Sequence, residues 1–297
     1  MIPASTTFDQ STLASMIDHD PLVQRYRAFF ALFDWSLLPD RDADRAWPGP
    51  VPHPLSTYIK VLLIKVCEQK QYMTQVRTFL LEHPLLVHDL GFRLVLDPDG
   101  PYGIDLQRTV PGARWLRHIQ QTLDRRLLQL LLAGTVHALQ EEIPGLGETI
   151  AVDVKHISAW VRENNPRESI KDRFCKDRQP TGDPDCRVGV KRSTNLEQPD
   201  GSTKVRKEYL WGYGSGVVSA LTADYGDVVL AEHTLPFNEG DVSYYLPLYR
   251  QTVATLQAFP TDVAADAASS RMVCVSNLCP SWWHRRRSPQ SACSSHL

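Results

Sequence analysis

No apolar run in this 297-residue chain approaches the roughly 20 residues needed to cross a bilayer; the leucine-rich stretch 127–133 is far shorter. The first 20 residues are polar and hold no apolar core of a secretory leader. The six cysteines (Cys67, Cys175, Cys186, Cys274, Cys279 and Cys293) lack the close, regular spacing of a disulfide framework. Nor do they supply the two close ligand pairs of a zinc site. Gly212-Tyr213-Gly214-Ser215-Gly216 is not followed by Lys-Ser/Thr and leads into a strand, so it is no phosphate loop. These absences argue against a membrane span and a secreted scaffold, and they predict a reducing, cytoplasmic setting.

What is present is ordinary for a globular protein: 42% hydrophobic and 22% charged residues. The length predicts two folding units. A net charge of −2 conceals an uneven distribution, for residues 155–207 hold 13 Lys/Arg against 8 Asp/Glu. That stretch is the candidate basic face toward a polyanionic partner.

Residues 1–20 read as a disordered lead, and 21–147 as helical. Asp20-Pro21 is a helix start, and Leu22, Tyr26, Phe29, Phe30 and Phe33 follow at helical spacing. Ser56 is the expected N-cap of a helix over 57–69, with further helices over 73–82 and 84–90. A helix-turn-helix that reads DNA and a plain packing bundle fit 56–90 equally well. Helices over 111–123 and 124–142 follow, the second carrying a leucine cluster read as core. From residue 148 the period becomes that of strands. Strands are expected over 149–154, 213–222 and 227–235, the last two joined as a hairpin by Asp224-Tyr225-Gly226. A helix over 242–258 and a strand around 263–268 complete the order, with a polar, turn-rich insertion at 161–207. A strand reached through a crossover helix is expected to lie parallel to its neighbour in the same sheet.

Two of these strands each carry a carboxylate. Asp153 lies in Thr149-Ile150-Ala151-Val152-Asp153-Val154, and Asp266 lies 113 residues later in Val263-Ala264-Ala265-Asp266-Ala267-Ala268. An uncompensated buried carboxylate is costly, so both are expected to have a partner. A pair of divalent cations held for in-line phosphoryl transfer is the candidate.

The order of elements and several local passages resemble the bacterial insertion-sequence DDE transposases of the broad IS4/IS5 type. Ala151-Val152-Asp153-Val154-Lys155 resembles their first catalytic strand. Asp183-Pro184-Asp185-Cys186-Arg187 followed by Trp211-Gly212-Tyr213 resembles their "DPDAR … GYK" passage, and Leu235-Pro236-Phe237-Asn238-Glu239-Gly240-Asp241 their "TPANVHD" segment. The run from Asp262 to Ala268 resembles their second acidic strand. The resemblance implies an α/β chain, α+β overall: a helical DNA-binding region at 21–147, then a partial RNase H-like catalytic domain at 148–268. It also implies that Asp153 and Asp266 are catalytic ligands of Mg²⁺, with Mn²⁺ as substitute, and that Arg187, Lys191 and Arg192 touch DNA phosphates. The implied partner is double-stranded DNA, both the terminal inverted repeats of the element and its target. A homo-oligomer is implied for the intact enzyme, and no membrane contact.

One part of that pattern is missing. The family needs a third acidic ligand well downstream, and this sequence has no Asp or Glu after Asp266. Residues 271–297 hold three of the six cysteines and two of the seven tryptophans, with no strand or helix period. One base onward, the codon of Met272 becomes that of Trp, and Trp282-Trp283-His284 becomes Gly-Gly followed by Ile or Thr. The expectation is therefore an out-of-frame tail over 269–297 and a chain that lacks cleavage activity. The rival from another class is a DNA-binding remnant without catalysis.

Overall fold

The computed structural model describes residues 10–39, 51–197, 203–222, 224–240 and 242–265, and the chain divides into two compact units between Glu141 and Glu142.

The first unit is helical. Its elements are α1 (Gln10–His19), α2 (Pro21–Phe30), α3 (Leu55–Cys67), α4 (Met73–Glu82), α5 (Pro84–Asp89), α6 (Leu106–Thr109), α7 (Ala113–Thr122) and α8 (Arg125–Glu142). The expected disorder over 1–20 is corrected for residues 10–19, where a helix forms; residues 1–9 lie outside the described ones. Asp20 caps α2 as its sequence implies, accepting from the backbone N–H groups of Leu22 and Val23, each at 2.9 Å. Ser56 does not cap α3. The helix starts at Leu55 behind Pro54, with no side-chain cap, two residues before the start at Thr57 that a serine cap requires.

One core gathers Val23, Tyr26, Tyr58, Ile64, Val76 and Leu80 with Leu86, Leu90, Ile104 and Leu116. Buried Thr57 donates its hydroxyl to the carbonyls of Leu90 (3.1 Å) and Gly91 (2.9 Å), which satisfies the end of α5. The leucine cluster of α8 is only partly core: Leu131 is buried, but Leu128 and Leu130 are exposed.

The hydroxyl of Tyr26 (2.7 Å) and the guanidinium of Arg25 both donate to Glu68, holding its carboxyl below the usual carboxylate range. A depressed folded-state pKa gives stability that is present above the unfolded value of about 4.3 and is lost as pH falls through the folded one. Denaturant titrations at neutral and acidic pH are thus expected to show a smaller acid loss for Glu68→Gln than for the parent chain. An unchanged acid loss would remove Glu68 from this role.

The second unit is a five-stranded mixed sheet with one long helix. Its strands are β1 (Thr149–Ser158), β2 (Arg187–Glu197), β3 (Thr203–Thr222), β4 (Gly226–Pro236) and β5 (Asp262–Ala265), with α9 (Val242–Leu256) between the last two. β3 is central. It pairs antiparallel with β1 along one edge; on the other, β2 takes its first half and β4 its second. β5 lies parallel to β1, as a crossover through α9 requires. The backbone N–H groups of Thr261 and Asp262 both donate to the Glu148 carbonyl, at 2.8 and 2.9 Å, and set the start of that pairing.

The glycines of β3 are explained by α9. A Cβ on Gly216 would lie 2.7 Å from Leu248 Cδ1, and one on Gly214 would overlap the Tyr244 hydroxyl. Helix and sheet can approach closely only because these two positions carry no side chain. Val154, the cross-strand partner of Gly216, shares this covered face. The reading of 161–207 as an insertion of turns is corrected at its end: residues 187–197 form β2, and β3 begins ten residues before the expected Tyr213.

Candidate functional site

β1 alternates its side chains, so Ile150, Val152 and Val154 face the α9 side while Ala151, Asp153 and Lys155 face the other. Asp153 pairs with Val217 of β3, and Val217 pairs onward with Glu232 of β4. Directly opposed residues share a face. The face away from α9 therefore carries Asp153, Lys155, Ser215, Glu232 and Thr234. Glu232 accepts hydrogen bonds from the hydroxyls of Ser215 (3.3 Å) and Thr234.

Asp153 is solvent-exposed, which corrects the expectation of a buried strand position. Helix α9 packs on one face of this strand, and the Asp153 carboxylate on the opposite face meets water. Among the described residues it has no hydrogen-bond or ion-pair partner, and these residues hold no group of three metal-ligating side chains. Asp266 lies outside the described residues. The β1–β5 ladder is described up to Val152 and Ala265, through the pairs Thr149 with Asp262, Ile150 with Val263, Ala151 with Ala264, and Val152 with Ala265.

The three basic residues expected at DNA all lie on β2. Arg187 is exposed, and its Nη1 donates to Gln179 Oε1 (2.9 Å) and to the carbonyls of Pro184 and Cys186 (2.8 Å each). Lys191 is half-exposed and stands 3.6 Å from Glu208. Arg192 is in β2, and its side chain lies outside the described ones. Asp183 is a turn residue, in keeping with the prolines and glycine around it. Its Oδ1 accepts from the Tyr213 hydroxyl (2.6 Å) and from the backbone N–H groups of Asp185 (3.2 Å) and Cys186 (3.1 Å). Burial pushes the Cys186 thiol up to about 11, so this cysteine is an inert packing residue.

In the first unit, α4 and α5 do not present a basic row. Arg77 donates to the backbone and side chain of Gln107, and the exposed positions of α4 are Thr74, Gln75, Thr78 and Glu82. α7 does expose Arg114, Arg117 and His118, and its sequence holds no acidic residue. Its spacing carried that signal.

Fold and site together define a two-unit chain in which a helical unit is followed by a mixed sheet bearing a free carboxylate on its open face. No protein-family model matches the chain, and no curated protein or solved structure matches it either.

Proposed function

We propose that this chain derives from a DDE-type DNA transposase whose catalytic carboxylates are Asp153 and Asp266. The observation that carries this reading is a number. Each of the four described β1–β5 pairs joins positions 113 apart, and Asp153 and Asp266 are also 113 apart. Continuing the same parallel ladder by one step would pair the two acids, and paired residues of neighbouring strands share a face. That face is the open one, away from α9. The strand senses also agree with the resemblance: an antiparallel trio β4-β3-β1, then a parallel strand reached through a helix.

A carboxylate that is exposed and free of protein partners suits a hard divalent cation with oxygen ligands. Bound there, Mg²⁺ would supply an activated water or hydroxyl and charge neutralisation at the phosphodiester. Asp153 and Asp266 would hold it, and Lys155 on the same face would favour an approaching phosphate.

The second reading, a DNA-binding remnant, is favoured by the composition of residues 267–297, which hold no Asp or Glu. Incubating the purified chain with labelled double-stranded DNA and Mg²⁺ or Mn²⁺ addresses both. Retarded DNA without strand cleavage is the expected result. Cleavage that persists in Asp153→Asn would sink the assignment of this site, and an absence of DNA binding at low salt would sink both readings.

A further inference from the structure

We infer that the ribbon formed by β2 and the first half of β3 is a DNA-binding arm that lies in a groove of the duplex. The choice of DNA as occupant rests on the transposase reading; the arm itself rests on the pairing, exposure and charge of its two strands.

Beyond Gly212, where β1 ends, the strand residues of β3 pair only with β2. Seven pairs, from Val190 with Tyr209 to Glu197 with Thr203, extend this ribbon, a span of about 20 Å. Residues 203–209 are all exposed, as are Ser193, Thr194 and Asn195. A two-stranded ribbon whose described residues are exposed on both faces buries little apolar surface to sustain it. It therefore contributes little to its own fold and is available to a partner.

Its charge points to that partner. Residues 191–209 hold five basic side chains (Lys191, Arg192, Lys204, Arg206 and Lys207) against Glu197, Asp200 and Glu208. Among the described residues no carboxylate pairs with Lys204, Arg206 or Lys207; the ion pair of the ribbon is Lys191 with Glu208. Strand alternation sends Lys204 and Arg206 to one face and Lys207 to the other. Cations on both faces suit an element flanked by phosphates on both sides. The major groove, about 12 Å wide, admits a two-stranded ribbon. At the ribbon's root, Lys191, Arg206, Lys207, Phe174 and Tyr209 line an open cleft of about 910 Å³, which extends the basic surface toward the sheet.

The test is a salt titration of binding to a duplex of mixed sequence, read by fluorescence anisotropy. EDTA is included, so the result is independent of any metal site. Neutralising three phosphate contacts lowers the slope of log K against log [salt] by about 2.7. The triple variant Lys204→Gln/Arg206→Gln/Lys207→Gln is expected to show that loss, so that raising salt fourfold costs it roughly 40-fold less affinity than it costs the parent. Glu208→Gln frees Lys191 and is expected to steepen the slope by about 0.9, a gain that misfolding cannot imitate. Unchanged slopes in both variants would overturn the arm. Equal affinity of the parent for single-stranded DNA of the same length would overturn its placement in a groove.

Discussion

Asp153→Asn is expected to weaken Mn²⁺ binding by this chain by at least about tenfold, given that even the outer partners of metal ligands are worth roughly 10- to 100-fold. The change keeps size and shape but removes the charge that a hard cation requires. Because Asp153 is exposed and has no partner among the described residues, its loss leaves no buried group unsatisfied, and stability is expected to stay within about 0.5 kcal/mol of the parent. That separates a ligand from a structural residue. The measurement is a Mn²⁺ titration by electron paramagnetic resonance on the parent, Asp153→Asn and Asp266→Asn, beside a thermal melt of each. If the two acids share one ion, each variant loses the site. A parent that binds no Mn²⁺ above background, or variants that bind as well as the parent, would end the metal-site reading. The same substitution carries over to a chain built with the neighbouring-frame translation after Asp266. There, cleavage is expected to appear in the parent and to vanish in Asp153→Asn. If that frame encodes no helix with an acidic residue, the frameshift account fails.

Trp211→Ala is expected to cost the second unit about 3–5 kcal/mol. Trp211 is fully buried and packs with Ala159, Val161, Cys186 and Val188. Its indole N–H donates to the Arg173 carbonyl at 2.7 Å, so truncation also leaves that acceptor without its donor. The backbone of Trp211 is held as firmly. Asn164 Nδ2 donates to its carbonyl at 2.6 Å and Asn164 Oδ1 accepts from its N–H at 2.9 Å. The Asn164 side chain thus acts as one more strand residue where β1 has ended, joining the loop of residues 159–186 to the sheet. Whole domains are stable by only about 5–15 kcal/mol, so a loss of this size is a large share of the unit's stability. The expected outcome is loss of amide hydrogen-exchange protection in β1, β3 and β4 at a denaturant concentration where the amides of the first unit's helices stay protected. Trp211→Phe, which keeps most of the packing and loses the donor, is expected to fall between. A Trp211→Ala chain within about 1 kcal/mol of the parent would show that this cluster does not hold the unit together.

The parts of the fold legible in the sequence are those with a one-sided burial pattern. The apolar spacing predicts a helix over 73–82, and α4 lies at Met73–Glu82. The hairpin of β3 and β4 turns at Tyr225 and Gly226, where Gly226 takes the positive φ of 73° that glycine accommodates. Boundaries shift where capping departs from the serine rule, as at Ser56. β2 is invisible in the sequence for a physical reason: a ribbon exposed on both faces has no alternation of apolar and polar residues to read. The site is legible in part. Asp153 stands out as a carboxylate in an apolar run, yet its exposure depends on the sheet having α9 on one face only. Arg187 looks like a phosphate ligand from its charge, and only the positions of Gln179, Pro184 and Cys186 show that its Nη1 is already engaged within the protein.

By itself the sequence determined the two kinds of unit, the order of those elements that are buried on one side, and the 113-residue interval between two acids, because these follow from local periodicity and composition. Tertiary structure alone decided that β5 pairs with β1 at that same interval, that glycines of β3 make room for Tyr244 and Leu248, and that three cations of the ribbon form no ion pair among the described residues. Register, close packing and charge pairing arise between residues far apart in the chain, and no short-range pattern encodes which of them meet.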